Sequence, residues 1–154
     1  MNRREWIVKT TALGAALAAG RALAAAPPEM VVYKSPTCGC CTDWVKHSRG
    51  SGFMVKTVEM PDLGAIRKRF GVPDRLAACH TALIGGYVVE GHVPASAVKR
   101  LLAEKPGVIG ISVPGMPNGS PGMEGPKSEP FSVLAFDERG ATKVFESYRP
   151  PYRW

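Results

Sequence analysis

Three of the four cysteines of this 154-residue chain fall within four positions, in the stretch Tyr33-Lys34-Ser35-Pro36-Thr37-Cys38-Gly39-Cys40-Cys41. Thiolate sulfur does two kinds of chemistry: it attacks disulfides and it binds soft metals. Cys38 and Cys41 stand at the two ends of a C-x-x-C. At the start of a helix such a pair meets free backbone N–H groups and the positive end of the helix dipole, both of which favour thiolate over thiol. Either chemistry profits, so a low pKa does not separate them. The third thiol bears on the choice. Cys40 occupies an inner position of the C-x-x-C, where a simple redox pair needs no sulfur. A Cys40–Cys41 disulfide between neighbours would be strained. Structural zinc sites draw ligand pairs from two separated knuckles, whereas here three sulfurs come from one turn. Sulfurs bridging a small polynuclear Cu(I) cluster would use that crowding, and zinc fits it less well. A purely stapling role would suit an even cysteine count in an oxidising compartment. Clustering argues against it, because staples join distant segments.

The remaining candidates lie further along. Cys79-His80-Thr81 sits just before an apolar stretch, and His80 joins Cys79 as a candidate ligand. The segment Pro114-Gly115-Met116-Pro117-Asn118-Gly119-Ser120-Pro121-Gly122-Met123-Glu124 places two methionines in a polar, Pro/Gly-rich context, although methionine ordinarily fills cores. A thioether suits Cu(I), so Met116 and Met123 are candidate ligands or shields of the site. Their plainer role is to pin the loop to the body. His47 reads as a surface residue of the first helix. His92, between Gly91 and Val93, reads as a turn residue.

Local pattern places these residues on elements. Met30 to Tyr33 is an apolar run that reads as a buried strand ending at Ser35-Pro36. After the cysteines, Trp44, Val45 and Ser48 share one side at helical spacing, and Gly50 to Gly52 ends that helix. Met54 to Val58 alternates as a second strand. Asp62 caps a helix holding Leu63, Ile66 and Phe70, with Gly71 at its C-terminal cap. Thr81 to Ile84 and Tyr87 to Glu90 form a hairpin across Gly85-Gly86. Pro94 opens a helix whose apolar side carries Val98, Leu101 and Leu102. From Glu104 to Pro130, with six prolines and six glycines, no period survives, and the segment reads as a long loop or arm. Phe131 to Phe136 and Ala141 to Tyr148 make a closing hairpin, and the tail from Arg149 reads as loose. A cysteine motif between a first strand and a first helix is the thioredoxin-like α/β layout. In that layout Cys79 falls against the C-x-x-C turn, where thioredoxin-type enzymes keep a cis proline.

The N-terminus carries an address. Arg3-Arg4, Trp6, Ile7 and Lys9 precede an uncharged stretch from Thr10 to Gly20 rich in alanine, then Ala22-Leu23-Ala24-Ala25-Ala26-Pro27. A basic start, a short apolar middle and an A-x-A exit describe an export signal over residues 1–26, twin-arginine-like in its paired arginines. The middle is short of the roughly 20 residues that a membrane span needs. Cleavage leaves residues 27–154 as one domain in the bacterial periplasm, with no stable membrane insertion. The signal holds a surplus of three positive charges, so the formal +7 of the whole chain falls to +4. With basic residues scattered apart from Arg67-Lys68-Arg69, no nucleic-acid stripe results, and that triplet reads as a solvated helix face.

Taken together, Tyr33 to Cys41, Cys79-His80-Thr81, Gly86 to Pro94 and Pro114 to Glu124 resemble the CopG-type metal-binding family, domain of unknown function number 411. The resemblance spans roughly residues 30 to 126. It implies a periplasmic thioredoxin-like domain of copper resistance that binds Cu(I). The implied ligands are Cys38, Cys40, Cys41 and Cys79, with His80 as a further candidate. Two readings follow. The first is a copper-binding protein that sequesters Cu(I) or passes it to a periplasmic efflux or carrier protein. The second is a thiol–disulfide oxidoreductase, with Cys38 attacking and Cys41 resolving. The absent proline and the two extra cysteines count against the second.

Overall fold

The computed structural model describes residues 28–152. The export signal read over residues 1–26 lies outside the described residues. Among the described residues no helix is long and apolar enough to cross a membrane.

The chain runs β1 (Met30–Lys34), α1 (Gly39–Gly50), β2 (Val55–Glu59), α2 (Gly64–Arg69), a 3-10 turn (Asp74–Leu76), β3 (His80–Ile84), β4 (Tyr87–Glu90), α3 (Ala95–Glu104), β5 (Gly110–Ser112), β6 (Phe131–Phe136) and β7 (Thr142–Tyr148). The strands form one α/β sheet in the order β2-β1-β3-β4-β5-β6-β7. β1 pairs parallel with β2 and β4 with β5, while the other neighbours are antiparallel. Both expected hairpins form. In the first, Gly85 and Gly86 take φ of +56° and +84°, which a two-residue primed turn requires.

Alternation along the strands gives the sheet two buried faces. Met30, Val32, Ala82, Ile84, Val89, Ile111 and Val133 meet Trp44 and Val45 of α1 and Val98 and Leu101 of α3 in the main core. On the other face a smaller cluster joins Val88 and Phe136 to Val72 and Leu76. The helical sides read from spacing are the buried ones for Trp44, Val45 and Ser48 in α1 and for Val98 and Leu101 in α3, while Leu102 is only partly buried.

Three expectations need correction. The segment from Glu104 to Pro130 is not without an element, because β5 lies inside it and bridges β4 to the closing hairpin. Three residues between Pro106-Gly107 and Pro114 are too few to leave a period. The tail is held as far as Tyr152, whose ring packs on Phe131 at 5.6 Å and whose hydroxyl donates to the Glu129 carbonyl. Asp62 is not the N-cap of α2: Leu63 holds that position, and the Asp62 carboxylate accepts from the Gly64 N–H at 2.8 Å in a local turn.

One buried carboxylate ties α2 to the sheet. Glu90, with no exposed surface, accepts from Arg67 Nε at 2.9 Å, from the Ala78 N–H at 2.8 Å and from the Thr81 hydroxyl at 2.6 Å. Burial pushes its carboxyl up, and the three donors pull it back. Arg67 also donates to the Ala78 carbonyl. Residues 78 to 81 are thereby gripped on both sides of Cys79. Truncation as Glu90→Ala orphans a partly buried guanidinium and two further donors, so it should cost about 3 kcal/mol of folding stability. Urea unfolding measures this, and a variant within about 1 kcal/mol of wild type would show that the clamp is dispensable.

Candidate metal centre

β1 delivers the chain to Ser35, where the turn to α1 begins. The Cys38 N–H donates to the Ser35 carbonyl at 3.2 Å. Cys38 then caps α1: its sulfur accepts from the Cys41 N–H at 3.4 Å. Cys38 and Cys41 are joined as a disulfide with Cα atoms 5.4 Å apart. Cys40 and Cys79 remain thiols, and both are partly exposed. Cys40 Sγ lies 3.5 Å from Cys38 Sγ and 3.9 Å from Cys79 Sγ. Cys41 Sγ, which as a disulfide sulfur has no hydrogen to donate, packs 3.5 Å from the Cys79 carbonyl. All four sulfurs lie within 4.8 Å of one another. Cys79 therefore sits against the C-x-x-C turn at the head of β3, where the order of elements in the sequence put it.

A second group shares Cys79. Its sulfur, His80 and His92 also present ligand atoms within 4.8 Å of each other. Cys79 Sγ is 2.8 Å from His92 Nε2 and 3.9 Å from His80 Nδ1. His92 Nδ1 is 2.8 Å from the Pro121 carbonyl. A carbonyl only accepts, so Nδ1 carries the hydrogen and a neutral ring leaves Nε2 with its lone pair toward Cys79. Burial pushes the Cys79 thiol up to about 12, and Cys40 adds to the effect. The resting pair is thus a neutral thiol donating to a neutral imidazole. His80 is fully buried beside Trp44, with ring centres 4.4 Å apart, and its Nε2 has no hydrogen-bond partner.

His92 is a buried member of this group rather than a turn residue. The hairpin contained the signal that would have found it: Thr81 pairs with Glu90, so one further step past His80 and Gly91 sets Cys79 opposite His92. His47 is not an ordinary surface residue either. It is half-buried, and its Nε2 accepts from the Ala95 N–H at 3.1 Å, capping the start of α3.

The Met-bearing loop closes one side. Pro121 supplies the carbonyl that orients His92. Gly122 lies so close to α1 that a Cβ there would sit 2.7 Å from the Cys40 carbonyl and 2.8 Å from the Trp44 nitrogen. Met123 is partly buried in this turn, whereas Met116 is 54% exposed. A cavity of about 1080 Å³ opens elsewhere, around Gly85, Tyr87, Leu102 and Pro106, and holds none of the cysteines. The sulfur and imidazole chemistry, not this cavity, locates the site.

Burial lowers the pKa of His47, His80 and His92, His80 most strongly. Each ring is neutral in the fold, while an unfolded imidazole titrates near 6.5. Their contribution is complete above that pH and is lost as pH falls below it. For fully buried His80 the slope reaches about 1.4 kcal/mol per pH unit. Urea unfolding of metal-free protein at pH 7.5, 6 and 5 should show the decline, and His80→Gln should flatten it. An unchanged midpoint across that range would contradict neutral burial.

The family described as "Protein of unknown function, DUF411" matches over residues 76–123, the stretch from the end of the 3-10 turn through Cys79, His80, His92 and Met123. No curated protein matches the chain. Two solved structures do: copper resistance protein CopG in its form 1 is 41% identical, with 79% of this chain and 98% of that chain covered and a TM-score of 0.75. Its form 2 is 40% identical, with 80% and 99% covered and a TM-score of 0.75. At that identity, over nearly the full length of those proteins, the chain belongs to the CopG-type family described as DUF411.

Proposed function

We propose that this is a periplasmic copper-binding protein that takes up Cu(I) at the cysteine cluster for copper resistance and homeostasis. It either sequesters the ion or passes it to an efflux or carrier protein. The observation that carries the reading is the convergence of four sulfurs within 4.8 Å, one of them facing a bare imidazole nitrogen at 2.8 Å. Soft thiolates with imidazole suit Cu(I), and three sulfurs from a single turn suit bridging in a small polynuclear cluster. Similarity to copper resistance protein CopG supports the same metal. His92 joins Cys38, Cys40, Cys41, Cys79 and His80 as a candidate ligand. Met123, partly buried on the loop that covers α1, would shield the site, and exposed Met116 would offer a thioether to an incoming ion. The twin-arginine-like signal supports export, and the block β2-β1-β3-β4 with α1 and α3 supports a thioredoxin-like frame.

Uptake must displace thiol protons, since the ligand is the thiolate. Cys79 gives its proton up reluctantly, so binding weakens as pH falls. The disulfide sets a second condition. While Cys38 and Cys41 are joined, two of the four sulfurs are bound to each other, and a dithiol reductant must supply two electrons to free both.

A thiol–disulfide oxidoreductase has one observation in its favour, the disulfide in the C-x-x-C. Against it, the flanking Cys79 thiol is held protonated and two further sulfurs crowd the pair. Native mass spectrometry of anaerobically reduced protein offered Cu(I) and Zn(II) should find more than one copper per chain. Copper content should fall in Cys40→Ser and in the disulfide form. Metal-free protein should reduce insulin poorly. Absence of copper uptake, a preference for zinc, or brisk insulin turnover would each overturn the reading.

A further inference from the structure

Lys34 is the last residue of β1, and alternation puts it on the main core face with Met30 and Val32. It is only 5% exposed. Burying an ammonium is costly unless something holds it and uses its charge. Its Nζ donates to the Ser35 carbonyl at 3.1 Å and to Glu59 Oε1 at 3.2 Å. The Ser35 carbonyl also accepts the Cys38 N–H, so the ammonium and the first cysteine share one acceptor. Across the sheet Lys34 pairs in register with His80, next to Cys79. The two charges of the Lys34–Glu59 pair are unequally placed: the lysine side chain is 6% exposed and the glutamate 56%. Water screens the carboxylate far more than the ammonium. By contrast, Arg67, on the other face, is matched by the fully buried Glu90.

Four thiolates carry four negative charges and each Cu(I) brings one positive charge. A cluster with fewer coppers than thiolates is therefore anionic, in a buried setting that penalises net charge. We propose that Lys34 is the fixed countercation of the metal centre. Its buried ammonium, held beside the Cys38 turn and the Cys79–His80 strand end, offsets the negative charge of the metal–thiolate cluster and strengthens copper retention. This rests on the copper reading above and assigns Lys34 a positioning and electrostatic role, with no bond to the metal.

The test is competition for Cu(I) against a chromophoric Cu(I) chelator, using reduced full-length mature protein. Lys34→Met keeps the length of the stem and removes the charge. It should weaken retention about tenfold, the size expected for one unit charge at a partly screened distance. It should also raise the pH at which bound copper is half released. Lys34→Arg should restore most of both. Glu59→Gln, which removes the screened counter-charge, should tighten retention severalfold, and it carries the test should Lys34→Met not fold. Unchanged affinity in Lys34→Met overturns the inference, as does a loss that Lys34→Arg fails to restore, or unchanged affinity in Glu59→Gln. A wild-type chain that takes up no Cu(I) removes the copper reading and this inference together, whereas wild-type uptake with insensitive variants removes this inference alone.

Discussion

The centre depends on a carboxylate that water does not reach. Four stretches of chain must meet at one point: the turn at Cys38 to Cys41, the head of β3 at Cys79, the residue after β4 at His92 and the loop at Pro121. Regular pairing of β3 with β4 brings the second and third together. Irregular chain leads into β3, and such chain keeps its place only if its polar groups find partners. Glu90 and Arg67 supply them, binding the Ala78 N–H and carbonyl and the Thr81 hydroxyl on either side of Cys79. Because the clamp works from the face opposite Trp44 and α1, it leaves the sulfur free to face the cysteine turn.

On the other face the centre rests in a neutral state. His92 is fixed in one tautomer by a carbonyl, His80 is buried without charge, and Cys79 keeps its proton. A reactive thiol enzyme is built the other way, with a thiolate stabilised in advance. Neutrality of this kind favours a site whose charge arrives with its ligand: a soft cation replaces the thiol protons, and sulfur is desolvated only once it has a partner. Burial that raises the Cys79 pKa also disfavours loss of that proton to solvent, so this sulfur does not stand as a thiolate before a metal reaches it.

Much of this was legible in the sequence, for reasons that can be named. The crowding of Cys38, Cys40 and Cys41 is local, so spacing alone reveals it. The hairpin of β3 and β4 is local too, since Gly85-Gly86 dictates its turn and the turn dictates its register. That register already contained His92, which its setting between Gly91 and Val93 disguised as a turn residue. Lys34 was hidden differently. The apolar run that reads as a strand stops at Tyr33, one residue short of it, and only the fold, with β2 and β3 paired to β1, shows that Lys34 is buried. β5 was hidden by brevity, and Tyr152 by sitting on a ring, Phe131, some twenty residues earlier in the chain. What local pattern could not supply in each case was a contact between segments far apart in sequence.

The disulfide and the four-sulfur cluster use the same atoms. With Cys38 and Cys41 joined, the free sulfur at Cys40 sits between the closed pair and Cys79, 3.5 Å from one and 3.9 Å from the other. A redox pair evolved only for exchange has no use for a thiol at that point, where it could attack the disulfide and scramble it. A metal centre has a use for it, since a bridging sulfur must touch both sides. On the copper reading the two chemistries then lie in sequence on one set of atoms: reduction opens the pair, and the opened pair completes the ligand set that Cys40, Cys79 and His92 begin. Oxidation reverses this by withdrawing two donors, which ties the capacity of the site for a soft metal to the thiol balance around it.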